Sequence, residues 1–136
     1  MDPVSLVGLT VAVIELLRVS RAVLEVIKTL KDGDKELAAL SHDVSSFSEA
    51  LVGFDRVLRG RHTIHRVSSP VIHDLVEHSA LLLQDMRDRL VQISTSSYSA
   101  VRRAKWAHHK SAIGKLHTQM REKNAMLHTF LSITQA

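Results

Sequence analysis

Nine histidines and fourteen carboxylates stand in a chain of 136 residues that has no cysteine, and their spacing decides whether they can assemble a metal centre or a catalytic pair. The run His73-Asp74-Leu75-Val76-Glu77-His78 comes nearest. An inverted zinc-protease motif would need histidine where Asp74 stands, and two histidines five apart on a helix are separated by about 140° of rotation. They do not easily share one metal. His62 and His65 would need ligands from elsewhere, and without cysteine a structural zinc site has little support. No glycine-rich phosphate loop, nucleophile elbow or pair of catalytic acids is visible, so no enzyme activity, cofactor or metal is assigned.

A different chemistry is suggested by Glu15, a lone carboxylate inside the apolar opening Val4-Ser5-Leu6-Val7-Gly8-Leu9-Thr10-Val11-Ala12-Val13-Ile14-Glu15-Leu16-Leu17. Such a charge is costly unless it faces water, a partner or a pore. Asp2 suits a helix N-cap and Pro3 the first helical turn, so the helix starts almost at the first residue. From Val4 to Leu17 it covers about 21 Å, short of a hydrocarbon core of about 30 Å. A single stable span is not expected. Asp2 before the run, with Arg18 and Arg21 after it, also argues against a cleaved secretory signal. Gly8 is open to two readings: close helix approach, or weakening of the first two turns.

The positioning elements follow from apolar spacing. Leu37, Leu40, Val44, Phe47, Leu51, Phe54 and Leu58 recur in strict three-four alternation and belong on one helix face. Gly33 suits a helix C-cap and Asp34 the next N-cap. Ser69 and Pro70 open a third helix, and Trp106, Ile113 and Leu116 mark the buried face of a fourth. With two prolines, five glycines and no alternating strand pattern, the chain reads as all-α. The expected architecture is a single-domain antiparallel four-helix bundle spanning 1–136, with helices at roughly 3–31, 34–59, 69–93 and 99–133. Its length suffices for a core without staples, and the lack of cysteine is compatible with a reducing compartment. Arg89 and Ser79 fall near the apolar seam of the third helix, where the Arg89 stem is expected to snorkel.

The fourth-helix string Arg103-Ala104-Lys105-Trp106-Ala107-His108-His109-Lys110-Ser111-Ala112-Ile113-Gly114-Lys115-Leu116, continuing through Met120, Lys123 and Leu127, resembles the Lys-Trp and spaced-leucine signature of HeLo-like domains. So does the opening Met1-Asp2-Pro3-Val4-Ser5-Leu6. These domains stand at the N-terminus of fungal STAND proteins, which are NLR-type immune receptors. The resemblance implies a bundle related to HeLo, to the mixed-lineage kinase-like N-terminal bundle and to plant NLR coiled-coil domains. It implies the N-terminal part of a larger protein acting in programmed cell death, heterokaryon incompatibility and innate immunity. An upstream NLR, STAND or amyloid-type trigger would cluster the domain through self-association. The protein would be cytoplasmic at rest and would reach the plasma membrane on activation.

On that reading Val4, Leu6, Val7, Leu9, Val11, Val13, Ile14, Leu16 and Leu17 form the membrane-inserting helix, and a ring of Glu15 side chains would line a cation-favouring pore. Charge fits the picture in part: residues 1–98 carry a net of minus two and residues 99–136 a net of plus six. Arg102, Arg103, Lys105 and Lys110, with Arg56, Arg59, Arg61 and Arg66 between the second and third helices, are the expected contacts to anionic membrane lipids. Histidines beside that loop would add charge as pH falls. The bland alternative is a solvated cationic face. Nucleic acid is not expected as a partner, because only Tyr98 and Trp106 accompany the helix-four cations and no reader motif is present. Trp106 is assigned to the core, against an anchoring role at a lipid interface. The alternative function is a non-lytic interaction bundle that dimerises or docks an adaptor.

Overall fold

A computed structural model describes residues 3–30, 35–60, 69–96 and 98–135, with the side chains of all of these except 3–7, 69 and 133–135. Four helices account for nearly all of them: α1 Pro3–Thr29, α2 Lys35–Arg59, α3 Ser69–Ser94 and α4 Ser99–Gln135. The expected helices are all present. α1 ends two residues earlier than expected and α4 runs two residues further. Asp2, Gly33 and Asp34, the expected capping residues, lie outside the described residues.

Consecutive helices run antiparallel, yet they do not follow one another around the bundle. α1 packs on α2 and α3, and α4 packs on α3 and α2, so α1 faces α4 and α2 faces α3 only across the diagonals. Side-chain pairs give the directions. Glu36 meets Lys110, Asp43 meets His117 and Ser46 meets Asn124, which makes α2 and α4 parallel neighbours. Lys105 meets Gln92 and His109 meets Arg89, which makes α3 and α4 antiparallel. One end of the bundle therefore gathers the start of α1, the end of α2 and the end of α4. The other gathers the end of α1, the start of α2, the end of α3 and the start of α4.

The centre is filled from all four helices. Leu9, Val13, Leu16, Val23 and Ile27 enter from α1, and the seven-residue heptad series Leu37 to Leu58 from α2. Ile72, Leu75, Val76, Leu83, Met86 and Leu90 enter from α3. α4 adds Ile113, Met120, Leu127 and Leu131, few for the longest helix of the set. Ile113 is core as expected, while Trp106 and Leu116 are only partly buried against it. The Trp106 assignment is corrected accordingly, because α4 begins well before the level at which α2 starts to cover it. Ser20 and Ser79 interrupt the core. Ser20 donates to the Leu17 carbonyl at 2.8 Å, whereas the buried Ser79 hydroxyl has no partner among the described residues.

Phe47→Ala removes a ring that is 1% exposed and is expected to cost about 3–5 kcal/mol, while Leu81→Ser, at a residue 71% exposed, should stay within about 0.5 kcal/mol. Urea unfolding followed by far-UV circular dichroism measures both.

Candidate functional site

α1 is apolar on two sides. Its inner side is the buried stripe Leu9, Val13 and Leu16, with Leu17 half-buried. On its outer side Val11 and Ile14 remain 55% and 45% exposed. The sequence continues this outer spacing of three and four back to Val7 and Val4. The side chains of Val4, Leu6 and Val7 lie outside the described residues. Glu15 and Arg18 follow on the outer side, both exposed and paired with one another one turn apart. Exposed pairs of this kind contribute little to stability. An added Cβ at Gly8 meets nothing within 4 Å, so close helix approach inside the bundle is not its reason.

The cations expected to contact lipid divide between the two ends. Arg56 and Arg59 sit in the last turn of α2, at the end where α1 begins. Arg59 pairs with Asp55 at 3.1 Å, while Arg56 is exposed without a partner among the described residues. Arg61 and Arg66 lie outside the described residues, as do His62 and His65. Arg102, Arg103, Lys105 and Lys110 belong to the opposite end, and most are engaged. Arg102 donates to the Ser96 carbonyl at 3.3 Å and Lys105 to the Gln92 carbonyl at 3.1 Å. These two cations cap the end of α3, where orphan carbonyls and the helix dipole favour positive charge. Lys110 pairs with Glu36 at 3.3 Å, and Arg103 alone of the four stays exposed without a partner among the described residues. The two groups do not form one cationic surface.

The structure assembles a polar seam between α2 and α4. The carboxylate Oδ2 of Asp43 accepts from His117 Nε2 at 2.6 Å and from Arg121 Nε at 2.8 Å. Three residues on, Asn124 donates to the Ser46 hydroxyl at 3.3 Å. Burial pushes the Asp43 carboxyl up, but the hydrogen bonds and positive charges of Arg121 and His117 outweigh it and hold it below its ordinary value of 3.8. Above this seam Trp106, Ile113 and Gly114 line a groove of about 270 Å³ with Glu36, Lys110 and His117. Spacing alone carried a signal, since Glu36 and Asp43 are seven apart and so are Lys110 and His117. Only the parallel pairing of α2 with α4 turns those two heptads into a zipper.

At the α3–α4 interface Arg89 donates from Nη1 to His109 Nδ1 at 3.2 Å and from Nε to Asp85 at 3.1 Å. Arg89 is partly buried, and its head finds these two partners. Among the described residues no three His, Asp or Glu side chains gather to hold a metal ion. His73 is half-buried, and His78 lines an open polar groove of about 500 Å³ with Leu81, Asp85 and Lys123. No protein-family model, curated protein or solved structure matches the chain. The functional reading therefore rests on the disposition of α1 and of the cations.

Asp43→Asn is expected to lower stability at pH 7 by about 1–3 kcal/mol, because two charge-assisted hydrogen bonds lose their anion. A carboxyl depressed on folding contributes stability that is complete above its unfolded value and is lost as pH falls through the folded one. The gap between variant and wild type should thus close below pH 3.8, which urea unfolding at several pH values checks.

Proposed function

We propose that the chain is a HeLo-like signalling module that self-associates when clustered by an upstream receptor and delivers α1 to an anionic membrane, permeabilising it in a cell-death response. The observation that carries this reading is the outer apolar stripe of α1, with Val11 and Ile14 exposed, at the end of the bundle that also presents Arg56. An exposed apolar stripe with a cation toward the same end of the bundle suits adsorption at the lipid interface, with apolar area and headgroup attraction acting together. Among the described residues no helix is long and apolar enough to cross a membrane. The proposed membrane step is accordingly one of clustered, interfacially seated helices rather than one spanning segment. Glu15 leaves Arg18 in that step and faces its counterparts in neighbouring copies.

A second reading is favoured by the engaged state of Arg59, Arg102, Lys105 and Lys110. Cations occupied within the fold leave less charge for lipid, as in a non-lytic bundle that docks an adaptor through the α1 stripe.

Deleting residues 4–17 would also remove Leu9, Val13 and Leu16 from the core, so point changes on the outer side test the proposal more sharply. Dye release from vesicles with and without anionic lipid is measured for the chain, for a fusion that forces clustering, and for the fusion with Val11→Ser and Ile14→Ser. Leakage by the fusion that needs anionic lipid and drops roughly tenfold in the double variant is expected, since two apolar anchors contribute to partitioning. A folded, clustered fusion that releases no dye under any condition returns the chain to the interaction-module reading.

A further inference from the structure

α4 is about 55 Å long against about 38–40 Å for the other three helices. The surplus lies at its start. Because Glu36, the second residue of α2, already meets Lys110, residues 99–109 project past the beginning of α2. Three cross-helix hydrogen bonds of this segment run to the last turns of α3 or just beyond them, Arg102 to Ser96, Lys105 to Gln92 and Arg89 to His109, and Trp106 lies partly buried against the core. His109 is its one buried side chain, at 9% exposure. Ser99, Ala100, Val101, Arg103, Ala104, Ala107 and His108 face solvent. A segment held by so few buried apolar contacts opens at low cost.

The chemistry of the His109 contact sets when it opens. A guanidinium nitrogen can only donate, so the Nδ1 that receives Arg89 bears no proton, and the ring is the neutral Nε2–H tautomer. Protonating Nδ1 destroys this hydrogen bond and sets an imidazolium against Arg89. Among the described residues no carboxylate is paired with His109. On α3, Asp85 is held by Arg89 itself; on α4, the neighbours are Lys105 and the edge-on ring of His108; on the α2 side, Glu36 is held by Lys110. The chain contains no Asp or Glu from Arg89 through Arg121. Burial first, and then the charges of His108, Arg89 and Lys105, depress the His109 pKa below 6.5.

We infer that residues 99–109 of α4 form an acid-released latch, in which protonation of His109 detaches the segment from α3 while the remainder of α4 stays docked on α2. The docked part keeps its hold because Asp43 still accepts from His117 and Arg121 under the same conditions. A histidine depressed on folding contributes stability that is complete above its unfolded value and is lost as pH falls through the folded one, so release begins below pH 6.5. This device is independent of whether the bundle acts on lipid.

Trp106 lies within the latch and is the only tryptophan of the chain, so its fluorescence reports the segment alone. Acrylamide quenching of the full chain is followed from pH 8 to pH 5 at fixed ionic strength, beside far-UV circular dichroism. A roughly twofold rise in quenching with a midpoint below 6.5, at nearly unchanged helicity, is expected for local opening. His109→Asn keeps an acceptor oxygen near the Nδ1 position and cannot titrate; it should show no rise, whereas His108→Asn should retain it. A flat wild-type profile, a rise that persists in His109→Asn, or a rise that coincides with loss of helicity overturns the latch. Should His109→Asn fail to fold, Arg89→Met serves instead: removing the facing cation must move the midpoint upward, and an unmoved midpoint is equally fatal.

Discussion

The apolar face of α2 is the constraint on which the rest of the bundle depends. Eight of its residues are buried, and they recur without a break from Leu37 to Leu58, so this helix has one long seam to cover. α1 covers one flank and α4 the other, and the two do it differently. α1 contributes a dense apolar stripe, while α4 combines a sparse one with the charged and amide contacts at Asp43 and Ser46. An apolar seam is tolerant of salt and pH, and a carboxylate shared by an arginine and a histidine is not. The two flanks of α2 therefore answer differently to the same change of solvent.

That division bears on which part of the molecule is free to move. A membrane-active α1 must withdraw Leu9, Val13 and Leu16 from the core, and each such side chain is worth about 1.5–3 kcal/mol of burial. Withdrawal of that size requires a strong compensating interaction, such as clustering on a surface. The start of α4 has no comparable burden, since His109 is its only buried side chain and Trp106 is buried only in part. The first helix and the start of the last thus carry quite different opening costs.

Much of the architecture was legible in the residues. The three-four alternation of α2 named its buried face residue by residue, and Ser69 with Pro70 marked where α3 begins. The pairing of helices was not legible, because short connections suggest that neighbours in sequence are neighbours in space. Without the parallel contact of α2 and α4, Asp43, His117 and Arg121 are three unremarked surface residues. Arg102 and Lys105 misled in the opposite way: basic residues near a helix start read as free charge, yet the open carbonyls at the end of α3 were close enough to engage them. Trp106 fell short of the core for a reason no periodicity reveals, namely how far α4 overshoots α2.

The order of helices around the bundle also shapes the route by which the chain reaches it. α1 with α2, and α3 with α4, are two antiparallel hairpins whose inner contacts join residues close in sequence, and such local closure is rapid. The remaining seams, α1 with α3 and α2 with α4, bring together segments roughly 65 to 80 residues apart, at a larger closure cost than the hairpins. One docking surface is apolar and the other rests on opposite charges, so encounter of the hairpins is steered by electrostatics and slowed by salt, whereas closure of each hairpin is not.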